Sequence, residues 1–245
     1  MKHDYAGVFK DERAVEKYAD ELYASGTYAS IVSERQGTWL RRLVATTFPG
    51  TPPVLHDFAC GTGRVMRFLA DVVTEAHGYD TSAAMIDRAR ADGVKGEFHL
   101  IDEDGPLPTP VATDSPALVT AFRFLLNTSE QARDRTVAFA AAALPAPESG
   151  LLLLENHGHR RSLRHLLNSR RRHEWFNELS TADVETLLRR HGFELVSSRA
   201  FTLVPRRAYR GRLRAVVEPV DRLAVRLPGA AVVAVDVVHV ARRVA

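Results

Sequence analysis

Two groups of residues in this 245-residue chain have types and spacing suited to chemistry. The first is the run VLHDFACGTGRVMRFLA, residues 54–70, with Asp80 beyond it. An apolar segment feeds the turn Gly61-Thr62-Gly63, and the turn feeds a helical pattern. A second apolar segment ends in Asp80, seventeen residues after Gly63. Glycines let backbone approach a ligand, and a carboxylate at the next strand end can take both hydroxyls of a ribose. The pair points to a nucleoside-containing cofactor. The second group is Glu155-Asn156-His157-Gly158-His159, directly after the apolar run 151–154. An unperturbed imidazole titrates near ~6.5, so His157 or His159 can take a proton from an acceptor hydroxyl. Each can equally make an ordinary loop hydrogen bond. His157 and His159 have no further spaced ligands beside them, so no metal centre is expected.

The elements that must position these groups follow from the apolar pattern. Residues 11–24 and 28–48 read as helices, and Pro49, Pro52 and Pro53 stop the second. From Val54 the pattern alternates. Strands are expected at 54–58, 76–79, 97–101, 117–121 and 151–156, and helices at 63–73, 82–91 and 130–143. A Pro- and Asp-rich loop fills 102–115. Near-continuous apolar strands alternating with helices give a parallel sheet covered on both faces. A helix over 182–191, a long strand over 193–205, a short amphipathic helix over 219–227 and a strand over 231–240 complete the chain. Ligands of such sheets bind beyond the carboxyl ends of the strands, so every proposed site belongs there.

The glycine pattern excludes one cofactor class. Arg64, Val65 and Met66 follow Gly63 where a dinucleotide fingerprint would place a third glycine, which argues against NAD or FAD. The string HDFACGTGR instead resembles the glycine-rich motif of class I S-adenosylmethionine-dependent methyltransferases, with Asp57, Phe58, Ala59, Cys60, Gly61, Thr62 and Gly63 in its positions. Ala59 stands where glycine is commoner. GYDTSAAMIDRAR (78–90), FHLIDEDGPLP (98–108) and ALVTAFRFLLN (117–127) extend the likeness, which covers about residues 54–245.

The resemblance implies a Rossmann-like doubly wound α/β fold. Its seven-stranded sheet would be mostly parallel with an antiparallel last strand, under an N-terminal helical cap. The cap would take residues 1–50 and the core 51–245, with a basic insert at about 157–178 shaping the acceptor site. The implied cofactor is S-adenosylmethionine, held by Tyr28, Asp57, Ala59, Cys60, Gly61, Gly63, Asp80, Thr81, Met85, Asp102, Ala121 and Phe122. Within that set Asp80 would hold the ribose, Met85 the adenine ring and Asp102, or Asp104 in its place, the adenine amino group. Tyr18 and Tyr23 share the N-terminal helices with Tyr28. Arg123 and Asn127 would hold the acceptor, and Arg forks anionic groups bidentately. Cys60 reads as a small packing residue whose backbone touches the ligand.

Composition bounds the partner. With 45% hydrophobic and 26% charged residues, the chain is an ordinary globular one. Its net charge of +3 hides an asymmetry: residues 160–245 hold 18 Arg, no Lys and 8 Asp or Glu, and residues 1–159 carry 15 basic and 22 acidic residues. A basic C-terminal third attracts an anionic acceptor, a membrane surface or nucleic acid, or is a solvated arginine-rich exterior. A single cysteine, no apolar leader core and no run of ~18 apolar residues fit a soluble cytoplasmic protein.

The expected activity is methyl transfer to a small-molecule acceptor, O-directed, on a sugar or specialised metabolite in biosynthesis. The alternatives are an RNA methyltransferase and a non-catalytic S-adenosylmethionine-binding regulator. No appended RNA-binding module and no Asn/Asp-Pro-Pro-aromatic signature support the first alternative, so nucleic acid is disfavoured. A membrane surface is the lesser possibility for the segment after Arg206, and the oligomeric state is open, a dimer being compatible.

Overall fold

A computed structural model of the chain describes residues 15–16, 20, 22–111, 115–168 and 178–244. Seven strands form one sheet in the order β3-β2-β1-β4-β5-β7-β6. They are β1 (Val54–Phe58), β2 (Ala76–Asp80), β3 (Glu97–Leu100), β4 (Ala117–Ala121), β5 (Gly150–Asn156), β6 (Phe193–Thr202) and β7 (Asp236–Arg243). β1 to β5 pair in parallel, and β7 runs antiparallel between β5 and β6. This is the expected Rossmann-like sheet with its antiparallel last strand. The strand order reverses between β1 and β4, and a crevice opens at such a switch point.

Helices cover both faces: α1 (Tyr28–Thr47), α2 (Arg64–Leu69), α3 (Ala83–Ala91), α4 (Glu130–Ala143), α5 (Leu163–Asn168), α6 (Thr181–Arg190) and α7 (Arg214–Ala224). Side-chain caps start several of them. Thr27 accepts from the Ser30 amide, Ser82 from Met85, Ser129 from Ala132 and Ser180 from Asp183. One apolar cluster packs α1 and α2 on β1, β4 and β5 through Leu40, Val44, Met66, Leu69 and Leu118. A second packs α4 and α6 on the other face through Val137, Phe139, Leu187 and Leu188. β1, β4 and β5 are buried throughout, which is why their sequences are runs rather than alternations.

Several boundaries differ from the sequence reading; the strand expected over 193–205, for one, ends at Thr202. The amphipathic helix expected at 219–227 begins at Arg214 and carries Pro219 inside it. Asp221, buried near its C-terminal end, anchors the helix by accepting from Arg35, the Tyr209 hydroxyl and the Leu203 amide, while Glu218 pairs with Arg214 and Arg222 on its surface. The last strand begins at Asp236, because Gly229 in the left-handed region opens a 3₁₀ turn over Ala230–Val232. α2 stops at Leu69 rather than 73. The helix expected over 11–24, Tyr18 included, lies largely outside the described residues, as do residues 169–177 of the basic insert.

α7 shows solvent an apolar stripe. Val216, Val220 and Leu223 are all more than half exposed. No helix of the described residues is long and apolar enough to cross a membrane.

Gly150 starts β5 at φ 143°, and a Cβ there would stand 1.7 Å from the Ala117 carbonyl oxygen. Backbone cannot yield cheaply in a buried parallel pair. Gly150→Ala is therefore expected to cost about 3 kcal/mol or more, lowering Tm by roughly 6–12 °C in thermal denaturation.

Candidate donor and acceptor site

The cleft lies at the carboxyl ends of β1, β2 and β4. β1 delivers Asp57, and the turn Ala59 to Gly63 follows it. Ala59 at φ 56° and Gly61 at φ 54° are left-handed, as is Gly63 at φ 72°. A Cβ on Gly63 would meet Val94 at 2.8 Å, so this glycine is required for packing as well as for its φ. The Cys60 amide donates to the Tyr79 carbonyl and the Gly63 amide to the Cys60 carbonyl, folding the turn over β2.

β2 ends in Asp80, whose two oxygens are fixed. Oδ2 accepts from the Gly61 amide at 2.7 Å and Oδ1 from the Ser82 amide at 2.9 Å. Burial raises the Asp80 pKa, opposed by the Ser82, Gly61 and Thr81 backbone. A carboxylate offers about four lone-pair sites, so with three backbone donors one remains for a ribose hydroxyl.

Asp57 is buried, and its Oδ1 accepts from the Thr120 hydroxyl at 2.6 Å. Burial pushes its pKa up to about 7, against the Thr120 bond and the Arg64 charge. The raised value makes the protonated form the stable one in the fold. Its stabilisation is complete below the ordinary carboxylate range, near ~4, and is lost as pH rises through about 7. An uncharged carboxamide in this place can accept the same Thr120 bond at every pH. The Tm advantage of Asp57→Asn over the parent should thus widen from about pH 5 to about pH 8 in ligand-free protein, which thermal melts at several pH values will check.

Asp57, Ala59, Cys60, Gly61, Asp80, Thr81, Met85, Phe122, Arg123 and Asn127 all line this cleft, beside Tyr23, Arg64 and Phe124. Burial, then Asp80 and Asp57, pushes the Cys60 thiol well up, so it is no nucleophile. Five expected contacts lie elsewhere. Gly63 sits beneath the turn against Val94, and Ala121 is fully buried at the end of β4. Asp102, like Asp104, is exposed on the loop after β3, outside the cleft lining. Tyr28 turns its hydroxyl to Asp236 Oδ2 at 2.7 Å, and Tyr23 takes the place on the cleft wall. His159 stitches a loop, with Nε2 3.1 Å from the Thr181 amide and Nδ1 3.1 Å from the Arg161 amide.

His157 stands one side chain behind the cleft. Its Nε2 is 3.4 Å from Asn127 Nδ2, and its buried Nδ1 has no hydrogen-bond partner. Burial and the Arg123, Arg164 and Arg64 charges hold its pKa well below the ordinary imidazole value.

Sequence reasoning named the group that fixes this wall only as the first residue of the segment 155–159 and gave it no role. Glu155, 1% exposed, accepts from Gln36 Nε2 at 2.6 Å and from the Arg123 amide at 2.6 Å, with Arg64 at 3.6 Å. Arg64 also donates to Gln36 Oε1 at 2.7 Å and lies over the Phe122 ring. The Glu155 contact holds Arg123 at φ 59°, a left-handed conformation rare for a non-glycine residue. The one available signal was an acid at the end of an otherwise apolar strand, LLLLE. Asp236, missed altogether, is buried at the start of β7, and desolvation followed by Glu155 raises its pKa to about 6.

A family profile described as a methyltransferase domain matches residues 28–198, from α1 through the middle of β6. The chain belongs to the class I S-adenosylmethionine-dependent methyltransferases. Its methyl donor is S-adenosylmethionine. Solved structures share the fold at low identity. A Haloferax volcanii methyltransferase, solved in complex with the Trm112 methyltransferase activator, aligns at 14% identity over 99% of each chain, TM-score 0.63. A methyltransferase from Archaeoglobus fulgidus aligns at 15% identity over 86% of this chain and 94% of its own, TM-score 0.58. Magnesium protoporphyrin IX methyltransferase from Synechocystis, with bound demethylated donor, aligns at 15% identity over 96% and 100%, TM-score 0.57. No curated protein matches the sequence.

The residues present fit such a donor. A zwitterionic sulfonium nucleoside needs a carboxylate for its ribose, close backbone and apolar walls, and it needs no phosphate cradle. Asp80 retains acceptor capacity, the Ala59–Gly63 turn exposes backbone, and Val65, Met85 and Phe122 supply the apolar lining.

Proposed function

We propose that this methyltransferase methylates a hydroxyl of a small-molecule acceptor, a sugar or specialised metabolite. The observation that carries the reading is the cleft wall beside the β4 end. Arg123, Asn127, Thr128, Tyr23 and Phe124 mix hydrogen-bonding and aromatic groups there, in reach of a compact polyhydroxylated ligand. The bound donor supplies a methyl group already activated on sulfur. The chain's residues therefore act mainly by position. Asp80 and the glycine turn orient the donor, Asp57 faces its charged end, and Arg123 with Asn127 holds the acceptor in line.

An alcohol must also lose its proton, and His157 is the proposed base. Burial and then the neighbouring arginines keep its imidazole neutral, and one water beside Asn127 would carry the acceptor's proton to Nε2, which stands behind that residue. His157→Gln is expected to lower kcat by about 10²–10⁴-fold with affinity for the demethylated donor unchanged. Because its pKa is depressed, the acid limb of the kcat–pH profile should lie below the ordinary ~6.5. Equal turnover in His157→Gln discards the base. His159→Gln should act through stability, since both ring nitrogens already face backbone amides.

Radiolabelled methyl transfer from the donor to pools of sugars and hydroxylated metabolites, to amines and to RNA tests the acceptor class. Labelled product in the first pool supports the reading only if it is a methyl ether. Label confined to RNA or to amines overturns it.

A further inference from the structure

β2 and β3 carry a second cluster of chemistry-bearing side chains, away from the donor cleft. The strands are parallel, with His77 opposite Glu97 and Tyr79 opposite His99. Glu97 and His99 are two apart on β3, so they share one face of the sheet with His77. No helix separates β3 from β4 among the described residues; an irregular loop follows Leu100. Phe139 of α4 packs on His56 and Tyr79, and beyond it this face carries polar rings out to its β3 edge. His56 stacks on His77 at 5.5 Å, and His99 stacks on Tyr79 at 4.7 Å.

We propose that His77, Glu97 and His99 form a binding site for a divalent cation of the zinc type. One ligand atom from each lies within 4.8 Å of the other two. His77 Nδ1 is 3.4 Å from His99 Nε2 and 3.5 Å from Glu97 Oε2. Both separations are long for a hydrogen bond, whose usual donor–acceptor distance is about 2.9 Å. They match instead the edge of a tetrahedron around zinc. Zinc–nitrogen and zinc–oxygen bonds of about 2.0–2.1 Å place neighbouring ligands about 3.3–3.4 Å apart.

A second, independent feature is the far side of His77. Its Nε2 lies 3.4 Å from Glu75 Oε2. The Glu75 carboxylate is placed to take the outer N–H, through a contact as loose as the other two; ligating histidines are commonly supported by a carboxylate there. His77 itself is buried, whereas Glu97 and Glu75 are largely exposed. The cation thus has a fixed imidazole at its back and an open fourth position for water on the solvent side. Two imidazoles with one carboxylate favour zinc over calcium or magnesium, which take all-oxygen sets. The site would clamp the edge strand β3 to β2, whose next residues lead to Asp80. The expectation of no metal centre followed from ligands sought close together in sequence. His77 lies twenty residues before Glu97 and meets the Glu97/His99 pair only through strand pairing.

The test uses tag-free full-length protein stripped with a chelator. Zinc chloride titrated by calorimetry should bind at one ion per chain and raise Tm. His99→Gln should weaken that binding at least 100-fold, Glu97→Gln at least tenfold, and Glu75→Gln about tenfold. Affinity for the demethylated donor should stay within twofold in all three, which reports an intact fold without relying on the buried His77. Cobalt in place of zinc should give the intense visible bands of a tetrahedral site. Absence of stoichiometric zinc binding, binding unchanged in His99→Gln, or a pale octahedral cobalt spectrum would each overturn the proposal.

Discussion

Asp80→Ala is expected to weaken binding of S-adenosylmethionine and of its demethylated product by about 100-fold or more. In the ligand-free fold the Asp80 carboxylate already accepts from the Gly61 and Ser82 amides. Those bonds hold it in one orientation, so a ribose hydroxyl meets a prearranged acceptor. Each hydrogen bond to a charged group contributes about 1.5–3 kcal/mol, and about 1.4 kcal/mol is tenfold in affinity. Loss of one such bond at the upper end of that range accounts for the factor. The substitution also releases the glycine turn, which removes backbone from the position the donor needs. Asp80→Asn keeps the shape and one acceptor oxygen, and its loss should be smaller, about tenfold. Calorimetry with both ligands reads the effect, and a change below fivefold in Asp80→Ala would show that the ribose is held elsewhere.

Glu155→Ala should cause the largest loss of stability among the site residues. Its carboxylate is shared by Gln36 on α1, Arg64 on α2 and the Arg123 amide after β4. Arg64 is itself mostly buried, with 14% of its side chain exposed. Removing one partner of a buried charged group leaves the others desolvated and uncompensated, at about 3–5 kcal/mol. For a chain of this size that corresponds to a Tm decrease of roughly 6–20 °C. The Arg123 backbone, in a left-handed conformation fastened by Glu155, should relax as well. Donor affinity should then fall with stability, because Arg64, Phe122 and Arg123 share the cleft wall. Glu155→Gln retains volume and an acceptor oxygen and should recover part of the loss. Circular dichroism melts decide: a Tm within about 2 °C of the parent in Glu155→Ala would mean that the network stores no stability.

Much of the fold was legible because its signals are local. A parallel strand buried on both faces must be apolar throughout, so LLLL at β5 and ALV at β4 announce themselves. Serine and threonine caps mark where α1, α3, α4 and α6 begin. The misread boundaries lie where local rules conflict. Pro219 reads as a helix start, yet the helix runs through it, with Asp221 buried against Arg35 and Tyr209. The valines before Asp236 read as strand, yet pairing begins only where Asp236 meets Thr202 of β6.

The sequence by itself pointed to a nucleoside-containing cofactor, and its likeness to a known family implied which one. Gly61, Gly63 and Asp80 act through backbone freedom and one strand-end carboxylate, properties that need only a strand, a turn and a helix to be expressed. Tertiary structure decided what surrounds that donor. Glu155 reaches Gln36 across 119 positions, and it does so because β5 lies beside β4 and α1 packs over them. Whether a tyrosine lines the cleft or pairs with a carboxylate was fixed the same way, with Tyr23 on the wall and Tyr28 on Asp236. So was the meeting of His77 with Glu97 and His99. Burial and partner choice depend on which strands are neighbours, and that order is a property of the whole chain packed together.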